Sequence, residues 1–162
     1  MQDRKAPKTA FIAAGIGITP LLAQLTSSSS SPSKPIHILW TLHLSDIGLL
    51  ADILPRIPAL LRPYTRIFVT GTQSDSADEE GLKRLQEVER EYKGSGVVIE
   101  TRRLGSDDVK GLEEVSGGRE DSGKGMEEKK VEKWIVCAAP GMRREVQGWL
   151  GGRTVLYENF DY

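Results

Sequence analysis

A glycine-containing turn near the start of the chain has the composition of a phosphate-binding site. An apolar strand pattern ends at Ala14 and is followed directly by Gly15 and Gly17. A helix pattern then begins, with Thr19 predicted as its N-cap and Pro20 suited to its first position. Because glycine lets backbone N–H groups approach a ligand and a helix N-terminus attracts negative charge, this turn could hold a pyrophosphate. The candidate residues of the turn are Gly15, Ile16, Gly17, Ile18, Thr19 and Pro20.

The only cysteine of the chain lies in a second stretch of interest, far downstream of the turn. Cys137 stands near the end of an apolar strand pattern, and Pro140 opens the helix pattern that follows. A lone cysteine in a strand is most often an ordinary buried residue. A cysteine nucleophile is disfavoured, because no hydrolase signature surrounds Cys137 and the two histidines, His37 and His43, are distant in sequence. The candidate residues of this stretch are Cys137, Ala138, Pro140, Gly141 and Met142.

The order of the elements that must position these stretches indicates an α/β protein. Strand patterns occupy residues 8–14, 36–42, 66–71, 97–101, 134–138 and 153–157. Helix patterns lie between most of them. We therefore predict a doubly wound, mostly parallel, five-stranded sheet with a strand order like 3-2-1-4-5 and helices on both faces.

Other residues at the ends of strand patterns are further candidates. In doubly wound sheets, ligands bind at the carboxyl ends of the strands, near the switch point where the strand order reverses. His43 follows the second strand pattern, and Thr70 and Gly71 end the third. These three residues are therefore predicted to share a crevice with Gly15 and Cys137.

Helix starts and one irregular segment complete the structural prediction. Ser45 is predicted to cap a helix that runs toward Leu54, and Ser76 begins a capping-box pattern before a longer amphipathic helix. Residues 105–133 are charged and glycine-rich, and we predict a partly disordered insertion there, whose middle, residues 116–130, is disordered or loosely held.

Composition excludes several classes of function. The 162 residues are expected to form one domain, covering residues 1–162. Lys and Arg total 22 against 23 Asp and Glu, so nucleic-acid binding has no electrostatic support. The apolar runs are too short to span a bilayer, and the possible metal ligands are few and unclustered. A single cysteine allows no internal disulfide and is compatible with a reducing compartment.

Two ordered motifs give the chain a resemblance to a known family. Residues 15–20 read G-I-G-I-T-P after a strand, and residues 137–142 read C-A-A-P-G-M after another. These are similar to the G-x-G-x-[ST]-P and C-G-x-x-x-M motifs of the nicotinamide-binding domain in the ferredoxin–NADP reductase superfamily. Cytochrome b5 reductases, ferric reductases and NADPH oxidases belong to that superfamily. The segment 39–50 and the ending 157–160 also match, so the resemblance spans nearly the whole chain apart from the insertion.

The resemblance implies roles for particular residues. The turn from Gly15 to Pro20 would hold the pyrophosphate and the nicotinamide ribose of NAD(P)H. Cys137 would lie beside the nicotinamide ring, where hydride leaves for FAD. Phe160 would cover the flavin until nicotinamide displaces it. Without the resemblance, Phe160 would be predicted as an ordinary core aromatic or part of a frayed end.

Two residues depart from the family pattern. Ala138 stands where the family usually has glycine, and its methyl group could crowd the nicotinamide or merely shift the backbone. His43 stands where many relatives have an arginine, which would pair with an adenosine 2′-phosphate. Because histidine is only partly charged near neutral pH, NADH and NADPH both remain open.

The resemblance also implies partners that lie outside these 162 residues. In the family FAD is bound mainly by a preceding β-barrel, and nothing upstream of Lys8 could form one, so FAD would lie on a domain upstream or in trans. Electrons would then pass to a haem, iron–sulfur or ferric acceptor, and the isolated chain would be inactive. The location implied is the cytoplasm or the cytoplasmic side of a membrane, with the mitochondrion also open.

Two functions are therefore weighed at this point. The leading one is the NAD(P)H-binding half of a flavin-dependent electron-transfer oxidoreductase, with the cofactors carrying the redox chemistry. The alternative is a non-catalytic nucleotide-sensing or partner-binding module on the same fold, since a fold does not determine a function.

Overall fold

Six parallel strands form a single sheet with helices on both sides. The structure, a computed structural model, describes residues 8–27, 35–73, 78–114 and 131–157. The strands are β1 (Thr9–Ala14), β2 (Ile36–His43), β3 (Thr65–Thr70), β4 (Val98–Glu100), β5 (Lys133–Cys137) and β6 (Val155–Tyr157). The helices are α1 (Thr19–Ser27), α2 (Ile47–Ile53), α3 (Glu79–Glu91), α4 (Ser106–Glu114) and α5 (Pro140–Leu150). Short 3₁₀ turns occupy Gly15–Ile18, Leu44–Asp46, Leu54–Arg56 and Ala59–Tyr64.

The strand order is β4-β3-β2-β1-β5-β6, which confirms the doubly wound α/β class. The sheet has six strands rather than the five predicted, because the three-residue strand β4 adds an edge beyond β3. Without β4, the remaining order corresponds to the predicted 3-2-1-4-5. The chain steps outward from β1 to β4 and then returns to the other side of β1, so the switch point lies between β1 and β5.

The two faces of the sheet carry separate hydrophobic clusters. Phe11, Trp40 and Ile67 point to the face covered by α1, α2 and α3, which we call the α1–α3 face. Ile12, Leu39 and Phe68 alternate with them and point to the face covered by α4 and α5, the α4–α5 face. Strands covered on both faces read as almost continuous apolar runs, as the sequence of β2 does. Each fully buried large side chain contributes roughly 1.5–3 kcal/mol relative to its exposed state.

Helix α4 is the largest departure from the sequence prediction. It lies at the start of the predicted 105–133 insertion, and its Val109 is fully buried in the α4–α5 face cluster. The segment offers few apolar residues, so its helical periodicity is weak, and only packing against the sheet gives it a buried side. Strand β5 likewise begins inside the predicted insertion, at Lys133. The prediction of disorder at residues 116–130 falls outside the described residues.

Two predicted helix caps are wrong, and a third is replaced by a neighbour. Thr19 has helical dihedral angles and follows a 3₁₀ turn, so the helical segment already begins at Gly15. Ser45 does not cap α2, because it lies inside the 3₁₀ turn Leu44–Asp46 and Asp46 occupies the N-cap position of α2, without a capping hydrogen bond from its side chain. Helix α3 is capped by Asp78, whose carboxylate accepts from the N–H of Glu80 at 3.1 Å. Ser76 lies outside the described residues.

His37 gives the fold a pH dependence that can be measured. Its ring meets the ring of Tyr64 edge-on, with 5.7 Å between centroids, and burial lowers the pKa of His37 below its ordinary value of 6.5. The unfolded chain therefore binds this proton at a higher pH than the folded protein does. The His37 contribution to the free energy of unfolding should be complete above about pH 6.5 and decrease as the pH falls toward the lower folded-state pKa.

Chemical denaturation of the wild type and of His37→Phe, from about pH 5 to 8, checks this expectation. The phenyl ring can keep the edge-on contact with Tyr64 but does not titrate. The decrease on acidification should therefore be smaller in the variant, and an identical pH profile for both proteins would show that His37 is not its source.

Candidate functional site

The chain leaves two neighbouring strands in opposite directions, which is the arrangement that forms a ligand-binding crevice in doubly wound sheets. After β1, the 3₁₀ turn Gly15–Ile18 leads into α1 on the α1–α3 face. After β5, Ala138 and Ala139 lead into α5 on the α4–α5 face. Since β1 and β5 are paired, with Ala13 opposite Cys137, the two helical segments start side by side. The first N–H groups of a helix have no partner within it, so two sets of donors converge on this edge of the sheet.

Gly17 is the point where the two loops touch. It is buried, and a Cβ atom built on it would overlap the carbonyl oxygen of Cys137 and lie 3.3 Å from the Cys137 sulfur. A main-chain oxygen cannot rotate away from such an overlap as a side chain can. Glycine at position 17 is therefore required by the close approach of β5, which the sequence pattern alone did not reveal.

The carbonyl groups of the turn are held by two side-chain donors. Trp40 is fully buried on β2, and its indole Nε1 donates to the carbonyl oxygen of Gly15 at 2.8 Å. The Thr19 hydroxyl donates to the carbonyl oxygen of Ile16 at 2.9 Å. Gly15 also has a φ of 51°, a left-handed conformation that favours glycine. Sequence reasoning placed Trp40 only in a buried strand, because an aromatic residue in an apolar run carries no signal of a polar contact.

The six residues predicted for the turn do not share one environment. Ile16 is half exposed at the edge of the sheet, whereas Ile18 is fully buried in the α1–α3 face cluster. Thr19 and Pro20 are partly buried. The turn can therefore present its backbone and the Ile16 side chain to a ligand, while Ile18 anchors it to the core.

Cys137 and Ala138 both lie at the end of β5 but point to opposite faces. The Cys137 side chain is 1% exposed and belongs to the α1–α3 face cluster, next to the turn. The Ala138 side chain is buried with Val146 in the α4–α5 face cluster, so its methyl group packs against the core. The surface of the crevice at this point is formed by Ala139 and the first turn of α5, which are exposed.

The first turn of α5 holds the remaining predicted residues of this stretch. Pro140 and Gly141 are exposed, whereas Met142 is partly buried against the α4–α5 face cluster. Arg143, which sequence reasoning missed, donates from Nε to the carbonyl oxygen of Ala138 and lies 5.8 Å from the ring centre of Tyr157. An arginine in a helical first turn is common on protein surfaces, so its type and position gave no signal.

His43, Thr70 and Gly71 lie together at the ends of β2 and β3. His43 is paired with Thr70, and the Thr70 hydroxyl donates to the carbonyl oxygen of Leu42 at 3.4 Å. Gly71 has a φ of 81°, and a Cβ atom on it would overlap the imidazole ring of His43. Nδ1 of that ring accepts from the N–H of Ser45 at 3.2 Å. Since β2 neighbours β1, these residues extend the crevice away from the switch point on the side opposite β5.

A paired cysteine and histidine nucleophile does not form at this edge. Cys137 points to the α1–α3 face, whereas His43 belongs to the alternate residues of β2 that point to the other face, and β1 lies between the two strands. Among the described residues, no group of three or more His, Cys, Asp or Glu side chains could hold a metal ion. No helix in the described ranges is long and apolar enough to cross a membrane. Phe160, predicted to cover a flavin, lies outside the described residues.

Comparison with known proteins adds nothing to this geometry. No protein-family model matches the chain, and no curated protein matches it. The fold and the crevice are therefore the observations from which a function must be argued.

Proposed function

We propose that this chain is the NAD(P)H-binding half of a flavin-dependent electron-transfer oxidoreductase. FAD would be held by a separate barrel domain, and electrons would leave for a haem, iron–sulfur or ferric acceptor. The proposal takes its chemistry from the resemblance of two motifs to the ferredoxin–NADP reductase superfamily. It takes its physical support from the way those two motifs meet at one edge of the sheet.

One observation carries the proposal. Gly17 of the first motif and Cys137 of the second, far apart in sequence, are in van der Waals contact at the switch point. A doubly wound sheet binds its ligand at that position, and a dinucleotide needs both a pyrophosphate site and a neighbouring surface for its nicotinamide. Each stretch brings the start of a helical segment to that point, and Gly17 lets the two main chains approach closely there.

The residues of the chain would bind and orient the dinucleotide rather than perform the redox step. When bound, the nicotinamide supplies a hydride and the flavin accepts it. The N–H groups at the start of the Gly15–Ile18 turn would hold the pyrophosphate, with charge support from the helix dipole. Ile16 and the first turn of α5 would flank the nicotinamide and exclude water from it. Cys137 would have a supporting role, because its buried sulfur lies beside Gly17 and packs beneath the turn.

The first expected result is weak binding without turnover. Calorimetric titration of the chain with NADH and NADPH should give a dissociation constant on the order of 0.1–1 mM for at least one of them. Binding should be weak because the ligand would be covered on one side only, and no dye should be reduced because hydride has no acceptor. Absence of heat with either nucleotide at millimolar concentration would contradict the proposal.

Addition of a flavin-loaded barrel domain in trans separates catalysis from sensing. If the chain is half of a reductase, NAD(P)H-dependent dye reduction should appear when a barrel domain that forms a complex with it is present. Gly17→Ala is the negative control: because the added methyl group displaces the turn or the end of β5, dye reduction should be weaker with this variant under the same conditions. Complex formation without any dye reduction would favour the nucleotide-sensing module instead.

A further inference from the structure

Arg143 holds the main chain at the point where it leaves β5 and enters α5. It lies at the start of α5, where its own N–H donates to the carbonyl oxygen of Ala139 at 3.1 Å. Its side chain folds back past the start of the helix, and Nε donates to the carbonyl oxygen of Ala138. Arg143 therefore ties the first turn of α5 to the residue that precedes its N-cap.

The guanidinium group makes a second contact, with the last residue of β6. Its central carbon lies 5.8 Å from the ring centre of Tyr157, whose hydroxyl donates to Oε1 of Gln147 in α5 at 2.8 Å. Tyr157 is paired with Val136, so this contact lies beside the carboxyl end of β5. Arginine can donate through Nε and lie over an aromatic ring at the same time, whereas lysine carries its charge on one compact group.

Two consecutive carbonyl groups at the end of β5 are thus restrained by two different elements. The Cys137 carbonyl oxygen lies so close to Gly17 that a Cβ atom there would overlap it. The next carbonyl, that of Ala138, accepts from Arg143. The residue that follows, Ala139, is exposed on the surface of the crevice. The direction in which the main chain crosses this surface is therefore set by Gly17 on one side and Arg143 on the other.

Under the function proposed above, the first turn of α5 would flank the nicotinamide, and the Gly15–Ile18 turn would hold the pyrophosphate. Building on that function, we infer that Arg143 is a positioning residue for the nicotinamide side of the crevice. By holding the Ala138 carbonyl group, it keeps the main chain after β5 in the orientation in which it can lie against the nicotinamide ring. Loss of Arg143 should therefore affect the nicotinamide part of the ligand and spare the part that the turn holds.

Calorimetric titrations with ligands that have or lack nicotinamide test this inference. The first ligand is NADH or NADPH, whichever the wild type binds more tightly. The second is ADP-ribose with the same 2′-substituent, which keeps the adenosine and the pyrophosphate but lacks the nicotinamide. In Arg143→Met the dissociation constant for the dinucleotide should rise by about threefold to tenfold, because the displaced main chain loses contact with the ring. The dissociation constant for ADP-ribose should change by less than about twofold.

Arg144→Met is the matched control. Arg144 is the next residue of α5 and is exposed, so this variant removes the same charge from the same turn but leaves the contact with Ala138 in place. Both dissociation constants should stay within about twofold of the wild-type values. If Arg143→Met does not fold, Arg143→Lys replaces it: the charge is kept, the contacts of the guanidinium are lost, and the same selective loss of dinucleotide binding is expected.

The outcomes distinguish this inference from the function on which it rests. If Arg143→Met binds the dinucleotide as tightly as the wild type does, or binds both ligands equally more weakly, the positioning role is overturned and the proposed function stands. Equal losses in Arg143→Met and Arg144→Met would show that charge matters rather than position, and would also overturn it. So would a wild type that binds the dinucleotide but not ADP-ribose. A wild type that binds neither NADH nor NADPH overturns the proposed function and the inference together.

Discussion

Gly17→Ala should weaken nucleotide binding by at least about tenfold and lower the free energy of unfolding by about 1–3 kcal/mol. The added methyl group would overlap the Cys137 carbonyl oxygen, so either the turn or the end of β5 must move. Both alternatives separate the two loops that form the crevice. Calorimetric titration with NADH and NADPH measures the loss of binding, and chemical denaturation measures the loss of stability.

Two other glycines provide matched controls for this prediction. Gly48 lies in α2, and a Cβ atom built on it would have nothing within 4 Å. Gly48→Ala should therefore bind the nucleotide as the wild type does, and its free energy of unfolding should rise by up to about 1 kcal/mol. Gly15 also has open space but a φ of 51°, so Gly15→Ala should cost about 1 kcal/mol through backbone strain alone. If Gly17→Ala binds the nucleotide as tightly as the wild type does, the contact between residue 17 and Cys137 is irrelevant to ligand binding.

The second large effect is expected at Asp108, the buried centre of a cluster of ion pairs. Its carboxylate accepts from both terminal nitrogens of Arg102, at 2.6 and 2.8 Å, and from the N–H of Gly105 at 2.9 Å. Arg66 lies 3.2 Å from the same carboxylate, and both guanidinium groups also lie against the ring of Phe68. The cluster attaches the start of α4 to β3 and to the chain after β4.

Asp108→Asn should lower the free energy of unfolding by about 2–3 kcal/mol, measured by chemical denaturation. The amide keeps the shape of the side chain but leaves two guanidinium groups without their central counter-charge. The figure is below that of a fully buried pair because Arg102 is 46% exposed and is screened by water. The control is Glu145→Gln, which removes the exposed ion pair to Arg103 and should cost less than about 1 kcal/mol.

The same variant should change the response of stability to acid. Burial by itself would raise the pKa of Asp108, but the hydrogen bonds from Arg102 and Gly105 and the nearby arginine charges outweigh it and lower the pKa. A lowered folded-state pKa gives stability that is complete above the ordinary value of about 3.8 and is lost as the pH falls below it. Stability of Asp108→Asn should therefore depend less on pH in that range than stability of the wild type. An equally steep acid limb in both proteins would contradict the assignment to Asp108.

The parts of the fold that the sequence predicted well are those with strong local patterns. The apolar run of β2 and the glycine turn after β1 lie where they were predicted, and β5 is shifted by one residue. The parts that were missed have weak patterns. Helix α4 has few apolar residues, and the predicted caps at Thr19 and Ser45 are wrong because a 3₁₀ turn precedes the α-helix in both places.

In the candidate site, the positions of the residues could be predicted from the sequence, but their contacts could not. Gly15, His43, Gly71 and Cys137 were predicted to lie at strand ends, and all do. Sequence reasoning could not show that Trp40 holds the carbonyl group of Gly15, nor that the end of β5 at Cys137 lies against Gly17. A residue type and a period of two indicate that a side chain is covered, but they do not name the atom that covers it.

By itself, the sequence determined the α/β class, the order of most elements and the turn that could hold a pyrophosphate. These follow from periodicity and glycine placement, which are local properties of the chain. Only the tertiary structure decided that Gly17 meets Cys137, that His43 is held against Gly71 and that Asp108 joins two arginines. Apart from the contact of Asp108 with Arg102, those contacts join residues distant in sequence, and they depend on strand order and register, which are set by the packing of the whole sheet.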